Sequence, residues 1–175
     1  MRIADRGMKS AVFRTSLGWV GVAATEQGIS RIVLPKKDKA AVLRELGYEA
    51  VEVESGPAAP LLAKAVKLLK RYFSGESVSF DVPLDLRYYT PFQQAVWRAA
   101  AAISSGETRS YAWIAKRIRN PKAARAVGQA LGANPVPIII PCHRVISSVG
   151  MGGFSGGIGM KKKLLELEAI TKVPH

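Results

Sequence analysis

The hydrophobic period of this 175-residue chain changes near residue 85. Before that point "AVFRTS", "GWVGVAAT" and "GISRIVLP" are short runs rich in Val, Ile and aromatics, split by polar or glycine turns. "TEQG" reads as a hairpin loop, and "YEAVEVE" alternates apolar and acidic residues as a half-exposed strand does. One helix is predicted from Pro60. Its apolar stripe is Leu61, Leu62, Ala65, Leu68, Leu69, Tyr72 and Phe73, with Lys64, Lys67, Lys70 and Arg71 mostly off it and Gly75 ending it. "VSFDVPLDLRYY" is extended and leads out of this half.

After residue 85 the pattern is helical. Thr90 is an N-cap, Pro91 takes the first helical position and Gln93 completes a capping box. That helix is expected to run to Gly106. Ser110 caps "YAWIAKRI"; Asn120 caps the next helix, with Pro121 at its first position and Gly132 closing it. "KKLLELEAI" is a last helix. The pattern predicts a mixed α/β (α+β) fold in two domains, 1–85 and 86–175. The first is an antiparallel sheet with a helix; the second is mostly helical and contains a helix-turn-helix.

Charge separates the halves as well. Residues 1–85 carry 13 basic and 10 acidic side chains, whereas 86–175 carry 13 and 3, a net of +10. Such asymmetry points to a polyanion as partner of the second half. A membrane surface fits less well, because no basic helix has an exposed aromatic face. No apolar run resembles a signal peptide or a membrane span, so a soluble, cytoplasmic protein is expected.

The third helix of the second half is lined with small residues: Ala123, Ala124, Ala126, Gly128 and Ala130. A reader of major-groove base edges needs long polar side chains. This helix offers only Arg125 and Gln129. It is either packed tightly inside the protein or brought backbone-first against DNA.

The only cysteine, Cys142, sits in "NPVPIIIPCHRVI". A structural zinc site wants four nitrogen or sulfur ligands, and one Cys with two His cannot supply them. The glycines of "GMGGFSGGIGMKKK" match neither a phosphate loop nor a dinucleotide fingerprint. Cys142 is then a nucleophile or an inert buried thiol. For a nucleophile, Pro141 at the start of a helical turn would set the sulfur near a helix N-terminus, which lowers a thiol pKa. Arg144 adds charge. His143 is adjacent, and neighbours on a helix do not face each other, so a water would have to link them. An acid would orient the far imidazole nitrogen, and this half offers only Glu107, Glu166 and Glu168.

The segments "NPKAARAVGQAL", "NPVPIII", "IPCHRV" and "FSGG" resemble the O6-alkylguanine-DNA alkyltransferase family, over about Thr90 to Glu168. The first half resembles it only in its general pattern of strands and one helix. The resemblance implies a ribonuclease H-like first domain, a winged-helix-like second domain and no cofactor or metal. Some relatives bind zinc in the first domain, and this chain lacks those ligands. It implies a monomer that moves the alkyl group of O6-alkylguanine in double-stranded DNA irreversibly onto Cys142, once per molecule. Whether O4-alkylthymine is also a substrate stays open.

The resemblance also implies roles. His143 activates Cys142 through water, and Glu168 holds His143. Tyr111 donates toward N3 of the departing guanine, and Asn134 braces the active-site turn. Arg125 fills the gap left by a flipped base, in the minor groove. Asn120, Ala124, Gly128, Tyr111 and Ser148 face DNA. The base sits against Val136, Pro137, Phe154, Ser155 and Gly156. Two departures stand out. Phe154 replaces a tyrosine found in other members, and the loop after Cys142 is one residue shorter than in some. A related group without the cysteine only binds lesions, so a lesion-binding module is the alternative.

Overall fold

The computed structural model describes residues 8–47, 51–52 and 58–170. The chain divides into two compact units, Met1–Tyr88 and Tyr89–His175.

In the first unit β1 (Lys9–Thr15), β2 (Gly18–Thr25) and β3 (Gly28–Lys36) form an antiparallel meander. The strands alternate because one set of side chains faces each helix. On one face Ala23 joins Met8, Val33, Val42 and Leu46 in a buried cluster. Val42 and Leu46 belong to α1 (Lys39–Leu46), whose N-terminus is capped by Asp38 accepting from the Ala41 amide at 2.7 Å. α1 lies so close to β2 that a Cβ on Gly21 would meet Val42 at 2.6 Å and Leu46 at 2.8 Å. On the other face Val22 stands opposite Ala11, which lines a groove with Leu62, Ala63 and Val66 of α2 (Ala59–Phe73). The sheet is thus covered on both faces. α1 was not expected from the sequence; the single helix predicted from Pro60 is α2. Gly75, at φ +92°, follows its C-terminus.

β4 (Val51–Glu52) runs parallel to β1, with Lys9 opposite Val51. It is the described part of the strand predicted in "YEAVEVE"; the rest of that stretch lies outside the described residues. The extended exit segment is tied to β3 by Ile29 N–H donating to Pro83 O (2.8 Å) and Asp85 N–H donating to Ile29 O (2.9 Å).

The second unit opens with α3 (Pro91–Ala101), which has the capping box at Thr90 and Gln93. It stops at Ala101, well before Gly106, because the Ala102 and Ile103 amides bond back to Ala99 O and Ala100 O, three residues away instead of four. Trp97 is its anchor: buried, edge-on to Tyr89 at 4.9 Å, its indole N–H donating to Ala130 O at 2.8 Å. Truncation to Ala would cost about 3–5 kcal/mol. β5 (Arg109–Ser110) leads into α4 (Tyr111–Arg117), capped by Ser110. α5 (Ala124–Gly132) completes the helix-turn-helix. It begins at Ala124, not at the expected Pro121, because Ala123 N–H closes a turn onto Asn120 O at 3.0 Å. Arg119, at φ +60°, carries the chain into that turn. Past α5 the chain makes a three-residue 3-10 turn (Cys142–Arg144), then β6 (Val145–Ile146), parallel to β5, then α6 (Ile158–Ile170). α6 starts four residues earlier than its predicted "KKLLELEAI". No helix of the described residues is long and apolar enough to cross a membrane.

Candidate functional site

Cys142 lies where a braced loop meets the 3-10 turn. The loop is held by Asn134, whose side-chain amide donates to Ile140 O at 2.8 Å while its carbonyl accepts from Val136 N–H at 3.0 Å. Ile140 N–H closes the same loop onto Val136 O at 3.0 Å. Between them Ile138 is buried at φ +76°, a conformation that a β-branched residue keeps only when its surroundings impose it. Val136 and Pro137 are buried beside it.

Pro141 takes the cap position of the 3-10 turn, not the first position of a helix. One such turn has no helix dipole to speak of, so the expected helix-terminus activation of the thiol is replaced by local donors. Cys142 is 5% exposed. Burial pushes its thiol pKa up, against the pull of the Asn134 hydrogen bond, the Lys161 charge and the amides of Cys142 and His143. This runs against the sequence-based expectation of a lowered pKa: burial favours the neutral thiol over the thiolate.

His143 is fully buried, and its Nε2 lies 2.6 Å from Oε1 of the buried Glu168. Burial lowers the His143 pKa more than Glu168 raises it. Burial also opposes ionisation of Glu168, but hydrogen bonds from His143 and Arg144 outweigh it and bring that pKa to about 2. An ionised carboxylate only accepts, so His143 carries its proton on Nε2 and a lone pair on Nδ1. Nδ1 has no hydrogen-bond partner among the described residues. The other two acids stand elsewhere: Glu107 pairs with Arg109 at 3.3 Å, and Glu166 is exposed.

Two contributors act in ways the sequence did not assign: Arg144, read there only as added charge beside the thiol, and Lys161. Arg144 grips Glu168 through Nε (3.0 Å) and Nη2 (2.9 Å) and donates through Nη1 to Ile103 O at 2.6 Å. Lys161 is fully buried, donating to Val145 O at 2.6 Å and Gly153 O at 3.2 Å. Burial lowers its pKa, and Cys142 opposes that shift. Helical spacing was the available signal: Lys161, Leu164 and Glu168 share one face of α6 and are all buried.

Tyr111 begins α4 with its ring between two glycines. A Cβ on Gly128 of α5 would lie 3.8 Å from the ring, and one on Gly152 would lie 2.5 Å from the hydroxyl. Arg125 is exposed in the first turn of α5, beside half-buried Ala124. Asn120 and Ser148 are exposed, as are Ser155 and Gly156, while Phe154 is half-buried. The structure therefore gathers Cys142, His143, Glu168 and Asn134 by direct contacts. It joins Tyr111 to α5 and to the glycine-rich loop. Among the described residues no group of three or more His, Cys, Asp or Glu side chains could hold a metal ion.

Each of the two units also matches a known domain. Residues 8–86 match the ribonuclease-like domain of 6-O-methylguanine DNA methyltransferase, and residues 91–170 match its DNA binding domain. A methylated-DNA–protein-cysteine methyltransferase of Methanosarcina acetivorans is 40% identical over 92% of this chain and 98% of its own. One from Mycobacterium tuberculosis is 52% identical over 71% of this chain and 75% of its own. The crystal structure of Mycobacterium tuberculosis OGT in complex with DNA superposes with a TM-score of 0.77 at 39% identity, covering 93% of this chain and 94% of that one. Two matching domain models that together span residues 8–170, and relatives aligned over most of their length, establish that this chain belongs to the 6-O-methylguanine DNA methyltransferase family, the methylated-DNA–protein-cysteine methyltransferases.

Proposed function

We propose that this enzyme repairs O6-alkylguanine in duplex DNA by moving the alkyl group irreversibly to Cys142, one turnover per molecule. The observation that carries the reading is the buried His143–Glu168 pair beside the cysteine, with the lone pair of His143 Nδ1 unused among the described residues. The thiol proton passes through a water to Nδ1, and Glu168 steadies the imidazolium. Sulfur then attacks the O6-alkyl carbon, a C–S bond forms, and the C–O electron pair withdraws into the guanine. The Tyr111 hydroxyl donates toward N3 of the leaving base. A thioether has no exchange route comparable to that of a disulfide, so the sulfur is not recovered. Thiolate and imidazolium need appear only once substrate is present, which suits a thiol whose neutral form burial favours.

The duplex is bound by the second unit, whose basic excess attracts phosphates without regard to sequence. α5 enters the minor groove with its small residues, Ala124 and Gly128 among them, against the backbone. Arg125 occupies the space of the flipped nucleotide, and Asn120 and Ser148 contact the strand. The base rests against Val136, Pro137, Phe154, Ser155 and Gly156. Binding as a monomer is sufficient for this scheme.

The test is a duplex carrying one O6-methylguanine, followed by intact and peptide mass spectra. The expected result is one added methylene on the Cys142 peptide, saturating at one per protein. Binding without any mass gain would leave a lesion-binding module instead.

A further inference from the structure

Val149 is 94% exposed, far more than any other large hydrophobic residue described. Its position is built. Ser147 and Gly150 bridge across a tight turn, and the Val149 N–H donates to Ser147 Oγ at 3.2 Å. The turn follows β6, which pairs with β5 directly before Tyr111. Gly152, three residues past Val149, packs on the Tyr111 hydroxyl, and Gly128 of α5 packs on the same ring. The turn tip is therefore within about 11 Å of the Tyr111 contact, since three residues reach no further. Gly152, three residues along from the tip, and Gly128 of α5 flank one tyrosine.

We infer that Val149 is an apolar contact to duplex DNA, a wedge seated on sugars or base edges of the minor groove beside the segment that α5 engages. This rests on the DNA reading above. The occupant follows from the surroundings. The second unit is strongly basic, the neighbouring Ser148 and Gly150 are small and exposed, and apolar side chains offered to a minor groove gain by excluding water from sugar and base faces. A lone valine at a tip has too little area to hold a protein partner, but enough to add to a phosphate-driven DNA contact.

The test uses the full-length protein with Val149→Ser and Val149→Leu. Duplex affinity is measured, together with the rate of Cys142 alkylation from an O6-methylguanine duplex below saturation and from free O6-benzylguanine. Val149→Ser should weaken duplex binding and duplex repair about tenfold, from the loss of one buried aliphatic side chain. It should leave the free-base reaction unchanged, and Val149→Leu should preserve both. Unchanged duplex affinity for Val149→Ser overturns the inference. So does an equal loss on both substrates, which would mark the turn as structural, or a loss of self-association with duplex binding intact. If the unaltered protein transfers no alkyl group, the function above fails, while the duplex affinities still decide the role of Val149.

Discussion

His143 Nε2 and Glu168 Oε1 are 2.6 Å apart, and neither side chain reaches solvent. The carboxylate fixes which imidazole nitrogen keeps the proton and so which one is free to take another. Glu168→Gln should disturb this in two ways. The amide can present its NH2 group to Nε2, moving the imidazole proton to Nδ1, and it cannot steady an imidazolium. Single-turnover alkylation should slow roughly 100-fold or more, with duplex affinity kept. A rate within twofold of the unaltered protein would show that the thiol is activated without this pair.

The same pair makes the protein acid-sensitive. Glu168 has its pKa lowered from 4.5 to about 2, so the folded state binds fewer protons than the unfolded one between those values. Its contribution, about 3 kcal/mol, is complete above pH 4.5 and fades as pH falls toward 2. His143 is also lowered by burial, so below its ordinary value of 6.5 the unfolded chain gains a proton that the folded chain resists. Melting temperature should decline below pH 6.5 and more steeply below 4.5. Glu168→Gln should shrink the steeper part, leaving the share of Asp85, whose pKa the Arg87 hydrogen bond also lowers, and a flat profile from pH 7 to 3 would contradict the assignment.

Much of this was legible in the sequence where a side chain acts on its own neighbours. Thr90, Gln93 and Ser110 cap helices as read, because capping is local chemistry. α1 was not legible: eight residues with only Val42 and Leu46 buried give too short a period to detect. The Asn120–Pro121 start failed because a turn and a helix cap share those residue types, and the turn wins here. The direction of the Cys142 pKa was misread because local donors can be counted in a sequence, whereas burial cannot. Lys161 sits in a Lys-Lys-Lys run whose other two members are exposed, and only the packing of α6 separates it from them.

Gly152 and Tyr111 test the placement of the hydroxyl. Gly152→Ala would put a methyl group 2.5 Å from the Tyr111 oxygen and 3.0–3.1 Å from two ring atoms, at a residue with φ +70°. The backbone strain alone costs about 1–2 kcal/mol. The ring must also turn aside, taking the hydroxyl from where it would meet the base. Repair should fall at least tenfold. The losses of Gly152→Ala and Tyr111→Phe should be less than additive, because both remove the same donor. Full additivity in a double-mutant cycle would mean that Gly152 acts through the loop alone.

Arg125→Ala tests the proposed base flipping apart from the chemistry. It is exposed in the first turn of α5 and has no ion-pair partner among the described residues, so its side chain is available to a ligand. Glu107 is already committed to Arg109, and Glu168 to His143 and Arg144. If Arg125 occupies the stack in place of the flipped guanine, Arg125→Ala should slow repair of an O6-methylguanine duplex by tenfold or more, since unstacking costs a few kcal/mol that nothing then offsets. Reaction with free O6-benzylguanine, which needs no flipping, should stay within twofold. Arg125→Lys should recover only the phosphate-type share of the loss, visible as a rate that rises when salt is lowered. Equal losses on duplex and free base would tie Arg125 to the architecture of α5 and remove it from the flipping step.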